Sequence, residues 1–529
     1  MMLQVLRSRL NSLVLFALVV CLLTGCTSFS EYVRNGFKVG PNYCTVAAPV
    51  ANNWIDAADV RIRSQADDIS QWWTVFNDPV LNNLVACAYR QNLTVKEAAF
   101  RVLRSRAQLA IARGNFFPQS QTASGRFSRG GSTANGFADL WDTGFSLQWE
   151  LDFWGRLRRA IQAADDQLGG SVADYDDVMV TILSDIAKYY VQIRTDQERI
   201  KLLRDNVEVQ REVLEFAKKK EDIGTLGSLD VEQAQSTLMQ TEAAIPQLEI
   251  DMRIANDQLC TLLGIPPANL VNLLGNASIP TTPMEVAIGI PAEMLRRRPD
   301  IRRAERAAAA QAEQIGFAQA DLYPAFRING TMGWTANNFP DLFNTQAFNG
   351  SVGPSFNWNL LNYGRIVNNV RAQDARFQEL VVTYQNTVLQ ANQEVEDGLI
   401  TFLKAQERTK LLVDSVRSGQ IARDIALRLY GKTQGFDFNR YAVIEQNLIS
   451  QQDAWAQARG QIAQGLISVY RALGGGWEIR FNPPPVSPIA MPFNPPPDAQ
   501  QPGAPNPLPP IPEELPRPLP EPPNTPQQP

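Results

Sequence analysis

Two hydrophobic rhythms alternate along the chain between about residues 75 and 475. The first has period two. From Trp141 to Phe153 one face carries Trp141, Phe145, Leu147, Trp149, Leu151 and Phe153, and the other Asp142, Ser146, Gln148, Glu150 and Asp152. Ala325–Trp334 sets Phe326, Ile328, Met332 and Trp334 against Arg327, Asn329 and Thr331. Phe348–Leu360 sets Val352, Phe356, Trp358 and Leu360 against Asn349, Ser351, Ser355, Asn357 and Asn359, with Pro354 as a local flaw. These patterns predict strands with one apolar and one uncharged-polar or acidic face, and the more polar stretch Gln119–Arg129 predicts a fourth. The second rhythm has period seven. Met179, Ile186, Ile193, Ile200, Val207 and Leu214 follow it, as do Val231, Leu238, Ile245, Met252 and Leu259, and then Tyr441, Leu448, Trp455, Ile462 and Val469. Sustained sevens predict helices packed as coiled coils.

From Gly155 to Lys220 there is no proline, so one helix of ~66 residues and ~100 Å is expected. Gly224 and Gly227, then Gly431 and Gly435, are expected to reverse two helical hairpins, and Pro246 to interrupt and bend the first returning helix. The chain is written twice. Gln197–Asp205 recurs as Gln406–Asp414, and Trp154-Gly155-Arg156 recurs as Tyr363-Gly364-Arg365 at the same offset. Phe117-Pro118 is echoed by Tyr323-Pro324, and Leu262-Leu263-Gly264 by Ala472-Leu473-Gly474. A period near ~200 residues exceeds any solenoid unit, so a whole subdomain is duplicated. Each half reads as helix, two strands, long helix, turn, helix.

The 529 residues have 49 Lys+Arg, 54 Asp+Glu and no histidine. The balance of charge and the lack of a basic block argue against nucleic acid as the main partner. Without histidine there is no Ser-His or Cys-His dyad, no His-bearing zinc site and no imidazole proton shuttle. No clustered acid, base or nucleophile suggests an enzyme, and no cofactor or metal site is expected. Of the 35 prolines, 21 lie between Pro483 and Pro529, which marks residues 482–529 as an extended or disordered tail.

At the other end, Arg7 and Arg9 precede the apolar run Leu13–Leu23, which has the charged start of a secretory signal. Leu23-Thr24-Gly25-Cys26 resembles the lipobox of bacterial lipoproteins. That resemblance implies a signal peptide at 1–25, cleavage before Cys26, and acylation of Cys26, palmitate included. Thr27, in place of Asp, favours by the same resemblance sorting to the outer membrane. Cys44, Cys87 and Cys260 remain, too widely spaced for a disulfide framework, although one bridge is open to them.

Strands of ten to thirteen residues with one apolar and one wet face suit a transmembrane β-barrel. Four strands cannot close, and an open edge is not tolerated in lipid. The chain must therefore pool strands with copies of itself in a closed cyclic oligomer.

The chain resembles the TolC-type outer membrane efflux proteins, in particular the lipidated OprM/NodT-type subgroup. The likeness rests on Trp72-Trp73, Phe76, Asp78 and Leu81, on Asn92 and Ala98, on Tyr323-Pro324, on Gly364-Arg365, and on Leu473-Gly474-Gly475-Gly476-Trp477. Most specific is Leu295–Glu305, close to the RRPDI-R-x-A-E signature, with Arg298, Pro299, Asp300, Arg302 and Glu305 in place. The resemblance spans about residues 70–480. It implies an α+β membrane protein: a trimeric channel-tunnel with a twelve-stranded outer-membrane β-barrel, four strands per protomer, continued by a periplasmic α-helical barrel. It implies a lipidated extended segment at 26–75 and two efflux repeats, 76–290 and 291–481.

The function so implied is the passive exit duct of a tripartite efflux pump for drugs, toxic compounds or metals. Its partners would be a periplasmic adaptor and an inner-membrane transporter. Hairpin tips would close the tube and meet the adaptor, through Gly224, Thr225, Leu226 and Gly227 in the first and Gly435 and Phe436 in the second. Acidic side chains behind the turns narrow the gate in this family. Ser228–Gln235 fits the pattern, whereas Ile444 stands where the subgroup has Asp, so Asp437 and Glu445, with Asp230 as an alternative, are the candidates for an acidic ring. Threefold symmetry would triple that charge and favour cations. The signature stretch reads as structural, with Asp300 at a helix N-terminus. Trp141, Trp149, Trp334 and Trp358 are candidates for interfacial girdles. Competing readings are a type I protein-secretion channel and a non-conducting coiled-coil lipoprotein spacer.

Overall fold

The computed structural model describes residues 28–63, 68–132, 136–289, 296–432 and 438–484. The signal segment with Cys26, the second-tip residues Gly435, Phe436 and Asp437, and nearly all of the proline-rich tail lie outside the described residues.

A short helix α1 (Phe29–Arg34) and a two-residue strand β1 (Ile62–Arg63) precede a 3-10 turn at Trp72–Phe76. Next come α2 (Pro79–Gln91) and α3 (Leu93–Gly114). Asn92 divides the two helices. Its side-chain oxygen accepts from the Val95 amide at 2.9 Å, capping α3, and its side-chain nitrogen donates to the Leu262 carbonyl at 2.7 Å. An N-cap of this kind stabilises by about 1 kcal/mol. The first half continues as β2 (Ser120–Ser132), β3 (Gly136–Leu151), α4 (Arg156–Asp222), α5 (Ser228–Leu262) and a single turn α6 (Val271–Leu274). In the second, β4 (Val286–Ala287) pairs in parallel with β1, then α7 (Pro299–Ala320), β5 (Ala325–Ala336), β6 (Phe348–Asn357), α8 (Arg365–Lys432) and α9 (Phe438–Ala472) follow.

The duplication is visible in the backbone. Gly155 and Gly364, one at each strand-to-helix turn, share φ = 79°, a left-handed value that other residues rarely adopt. Gly264 and Gly474, which close the returning segments, sit at φ 70° and 71°. The helices α4 and α8, of 67 and 68 residues, are each ~100 Å long.

Most of the heptad positions lie in the helical core, while Val231, Ile245, Met252, Trp455 and Ile462 are half-buried. Met179, Ile186, Ile193, Ile200, Val207 and Leu214 are all buried, as are Leu238, Leu259, Tyr441, Leu448 and Val469. Two expectations need correction. Gly431 does not turn the chain: α8 runs through it to Lys432. Pro246 does not interrupt α5, which is continuous from Ser228 to Leu262. Its ring removes one donor in the middle of a helix that packs along α4, and the packing holds the helix together. Trp72, Trp73 and Phe76 are almost wholly buried in the largest apolar cluster, Trp72 stacked on Tyr470 at 5.5 Å. Cys44 is exposed, Cys87 and Cys260 are buried, and all three thiols are free.

Candidate conduit and gate

The four long strands form one antiparallel sheet in the order β2-β3-β5-β6, so β2 and β6 are its edges. The register sorts the side chains as the alternation requires. Across the polar face, Thr122, Ser146, Thr331 and Ser351 occupy one row. Thr122 and Ser146 hydroxyls lie 2.6 Å apart and those of Thr331 and Ser351 2.9 Å, while Asn329 donates to Ser355 at 2.7 Å. Cross-strand hydroxyl pairs of this kind stabilise a sheet by a few tenths of a kcal/mol each, and they leave the face wettable.

Across the apolar face Phe145 pairs with Met332, Leu147 with Gly330 and Trp149 with Ile328. Met332, Val352 and Phe356 are exposed, with Val352 at 81%. A contiguous exposed apolar sheet face marks a surface that meets something other than water. Aromatic rings gather at its two ends. Phe127, Trp141 and Phe339 touch at one end with Trp334, Phe343 and Phe348, while Phe153, Phe326 and Phe356 lie at the other. Trp141 and Trp149 are eight residues apart, or ~26 Å along the strand. Trp358 falls just beyond β6, its indole nitrogen donating to the Leu322 carbonyl at 2.9 Å.

Where the polar face meets the helices, Glu150 is gripped by Arg156 at 3.0 Å and Arg327 at 3.1 Å, and Arg156 also lies 3.5 Å from Asp321. Glu150, Arg156 and Arg327, with Gln119, Gln148 and Phe317, line a cavity of about 540 Å³.

The far end of the helical section holds the first tip. α4 ends at Asp222, and Gly224 (φ 75°) donates to the Glu221 carbonyl while the Thr225 amide and hydroxyl both bond the Lys220 carbonyl. Leu226 packs inward on the tip cluster, Ile223 and Leu229 point out at 75% and 76% exposure, and Gly227 precedes α5. Lys220 ties this hairpin to the other: its ammonium donates to the Tyr430 carbonyl at 3.0 Å and lies over the rings of Phe216 and Tyr430. Gln233 donates to Asn439 at 3.1 Å.

Of the acidic candidates, Asp437 is outside the described residues and Asp230 sits half-buried in the first turn of α5. Glu445 departs from expectation. It is 0% exposed, enclosed by its own helices, and so does not stand on an open face of the protomer. Neither carboxylate oxygen has a hydrogen-bond partner. Burial pushes its carboxyl up to about 7, the Arg423 charge opposing and Asp424 reinforcing the rise.

The signature residues hold structure together. Arg298 donates to the Ala472 carbonyl at 2.6 Å, closing the C-terminus of α9, and pairs with Asp300 and Glu394 at 2.7 Å. Pro299 is the first residue of α7 and Asp300 lies in its first turn. Arg302 pairs with the buried Asp176 at 2.9 Å and covers the Trp477 ring at 4.5 Å, whose neighbour Arg480 reaches Asp176 at 3.2 Å. Burial pushes Asp176 up to about 6 against the pull of both guanidiniums. Glu305 stands beside Tyr43, whose phenol is raised to about 12 by burial first and by that carboxylate second. Spacing in the sequence gave no hint of Arg159, which is fully buried and pairs with Glu313 at 2.7 Å, or of Arg194, held by Tyr190 and by the Leu274 and Gly275 carbonyls. Glu313 and the two carbonyls are distant in the chain, although Tyr190 is one turn from Arg194.

The family model described as "Outer membrane efflux protein" matches residues 84–265 and 290–475. Nodulation protein T of Rhizobium leguminosarum bv. viciae is 30% identical over 370 residues, 68% of this chain and 74% of that protein. The pyoverdine export outer membrane protein OpmQ of Pseudomonas aeruginosa is 29% identical over 79% of this chain and 89% of its own length. Among solved structures, the outer-membrane channel OprN superposes with a TM-score of 0.78 at 32% identity, covering 83% of this chain and 99% of that one. The open state of the Neisseria gonorrhoeae MtrE outer membrane channel shares the fold at a TM-score of 0.75 and 23% identity.

Proposed function

The chain belongs to the outer membrane efflux protein family, and on that premise we propose that it is the outer-membrane channel of a tripartite efflux system. The sheet sits in the outer membrane and α4, α5, α8 and α9 extend as a tube into the periplasm. The observation that carries this reading is the sheet itself. It has an exposed apolar face, a hydroxyl-lined polar face and two unpaired edges, and it runs directly into helices ~100 Å long. An open edge in lipid leaves backbone groups unsatisfied, so the chain pools its strands with copies of itself; with three copies, as the family resemblance implies, the barrel has twelve strands. The polar rows then line a water-filled duct.

The work is passive. The family is one of efflux channels rather than enzymes, and the chain has no histidine. Transport energy comes from an inner-membrane transporter through a periplasmic adaptor. The adaptor meets the tip residues Gly224, Thr225, Leu226 and Gly227, with Gly435 and Phe436 of the second tip. Asp437 and Asp230 remain the candidates for an acidic ring at the gate, and Cys26 for the lipid anchor. Cargo is a small molecule, as for the relative named for pyoverdine export. Planar-bilayer recording of the purified oligomer tests the reading. Ion-conducting pores, larger or more frequent when the tips are loosened by Lys220→Met, are expected. A folded oligomer that never conducts in either form overturns it in favour of a spacer.

A further inference from the structure

Seven charged residues are buried among the described residues: Arg159, Asp176, Arg194, Asp196, Arg298, Glu313 and Glu445. The first six each bond an opposite charge, a phenol or a carbonyl. Glu445 alone bonds nothing. Its surroundings share the defect. Asn206 of α4 bonds Gln452 of α9 at 2.7 Å, and the two helices are antiparallel. The next buried positions toward the tip are therefore Gln210 and Val213 on α4, and Ile449 and Glu445 on α9. Gln210, Tyr441 and Tyr430 have side-chain polar atoms without partners as well. Around Glu445 this part of the seam is closed chiefly by packing, Tyr430, Phe438 and Tyr441 clustering with Val207, Val213 and Leu214, with Lys220 bonding the Tyr430 carbonyl nearer the tip.

We infer that Glu445 is a proton-dependent bolt on the tip-side seam: protonated, it lets α9 stay packed on α4 and α8; ionised, it drives the seam toward opening. The inference rests on the channel reading above and assigns that gate a regulator. A buried carboxylate with no partner is costly when charged and tolerable when neutral. Opening the seam gives it water and returns it to the ordinary carboxylate range. The titratable groups acting on it are Arg423 and Asp424 of α8 and Tyr441 one turn before it. Arg423 hydrogen-bonds Asp424, and so is only partly available to neutralise Glu445. On α4 the charged neighbours Glu208, Arg211 and Glu212 are exposed, with Arg211 engaged by Glu208 and Glu242.

The sign follows from linkage. The closed seam raises the carboxyl toward about 7, from an ordinary 4.5. Closed-state stability from this group is therefore whole below the ordinary value, falls as pH rises through the interval, and is gone above the raised one. Between about pH 5 and pH 8 the closed-to-open ratio falls on the order of tens of fold per protomer.

Two readouts on the full-length oligomer test this. In planar bilayers, wild-type opening rises steeply from pH 5 to pH 8, and Glu445→Gln, which mimics the neutral acid, stays at the low-pH level throughout. Amide hydrogen exchange of residues 441–449 and 207–214, corrected for its intrinsic pH dependence, reads the same seam without a membrane. Protection in the wild type falls with pH and in Glu445→Gln it does not. Matching pH profiles for the two proteins, in either readout, overturn the bolt while conductance leaves the channel standing. If no form conducts, including Lys220→Met, the channel reading fails, and exchange still decides whether Glu445 controls the seam.

Discussion

The barrel-side and tip-side halves of the helical section share one heptad rhythm and bury their charges in opposite ways. On the barrel side, Arg159 meets Glu313, Asp176 meets Arg302 and Arg480, and Arg298 fastens the end of α9, each within 3.2 Å. On the tip side, apolar and aromatic contacts close the seam, and Gln210, Tyr441 and Glu445 are enclosed without partners. Paired buried charges hold one geometry, because any displacement exposes an unpaired ion to a low dielectric. Unpaired polar groups lose nothing on exposure and gain water. Regular heptads thus run through a fixed collar into a segment built to come apart.

The largest expected effect breaks the collar. Asp176→Ala leaves Arg302 and Arg480 facing each other across Trp477 without their shared acid, and should destabilise by about 3–5 kcal/mol. Thermal unfolding and loss of the assembled oligomer measure it, and retention of wild-type stability would remove the contrast between the halves. Next is Gly465→Val on α9, a position where an added Cβ would lie 2.8 Å from the Phe402 amide nitrogen. Overpacking there should cost about 1–3 kcal/mol and spread α8 from α9. Lys220→Met should cost about 1 kcal/mol or slightly more, confined to the tips, by removing a charge-assisted bond to Tyr430 and two ring contacts. Faster exchange at residues 216–230 with an unchanged unfolding midpoint is the expected signature.

The sequence was readable wherever the signal was periodic or local. The four strands, the 67-residue α4 and the turn at Gly224 follow from alternation, heptads and glycine. What failed were judgements that needed a neighbour distant in the chain. Gly431 looks like a turn residue, but α8 carries on through it, and the continuing contacts of α8 with α9 outweigh the weak helix propensity of one glycine. Pro246 looks like an interruption, yet α5 remains unbroken along α4. Glu445 reads as a gate carboxylate because it follows a turn and matches a pattern of charge, and nothing local tells that it is fully buried. Arg159 and Glu313 are separated by 154 residues, so their pairing leaves no spacing to detect.

The smallest effect separates the halves most cleanly, because its sign is reversed. Removing a buried charge from the collar destabilises, whereas Glu445→Met should stabilise. Methionine fills similar volume, needs no partner and packs against Tyr441 and the α4 seam. At pH 8, where the wild-type acid is largely ionised in the closed seam, the gain should be about 1 kcal/mol or more. At pH 5, where it is neutral, the gain should shrink to a few tenths. Exchange protection of the tip-side seam at the two pH values measures both. A loss of protection at pH 8 would mean that Glu445 holds the seam through a partner, as Asp176 holds the collar, and the two halves would then obey one rule.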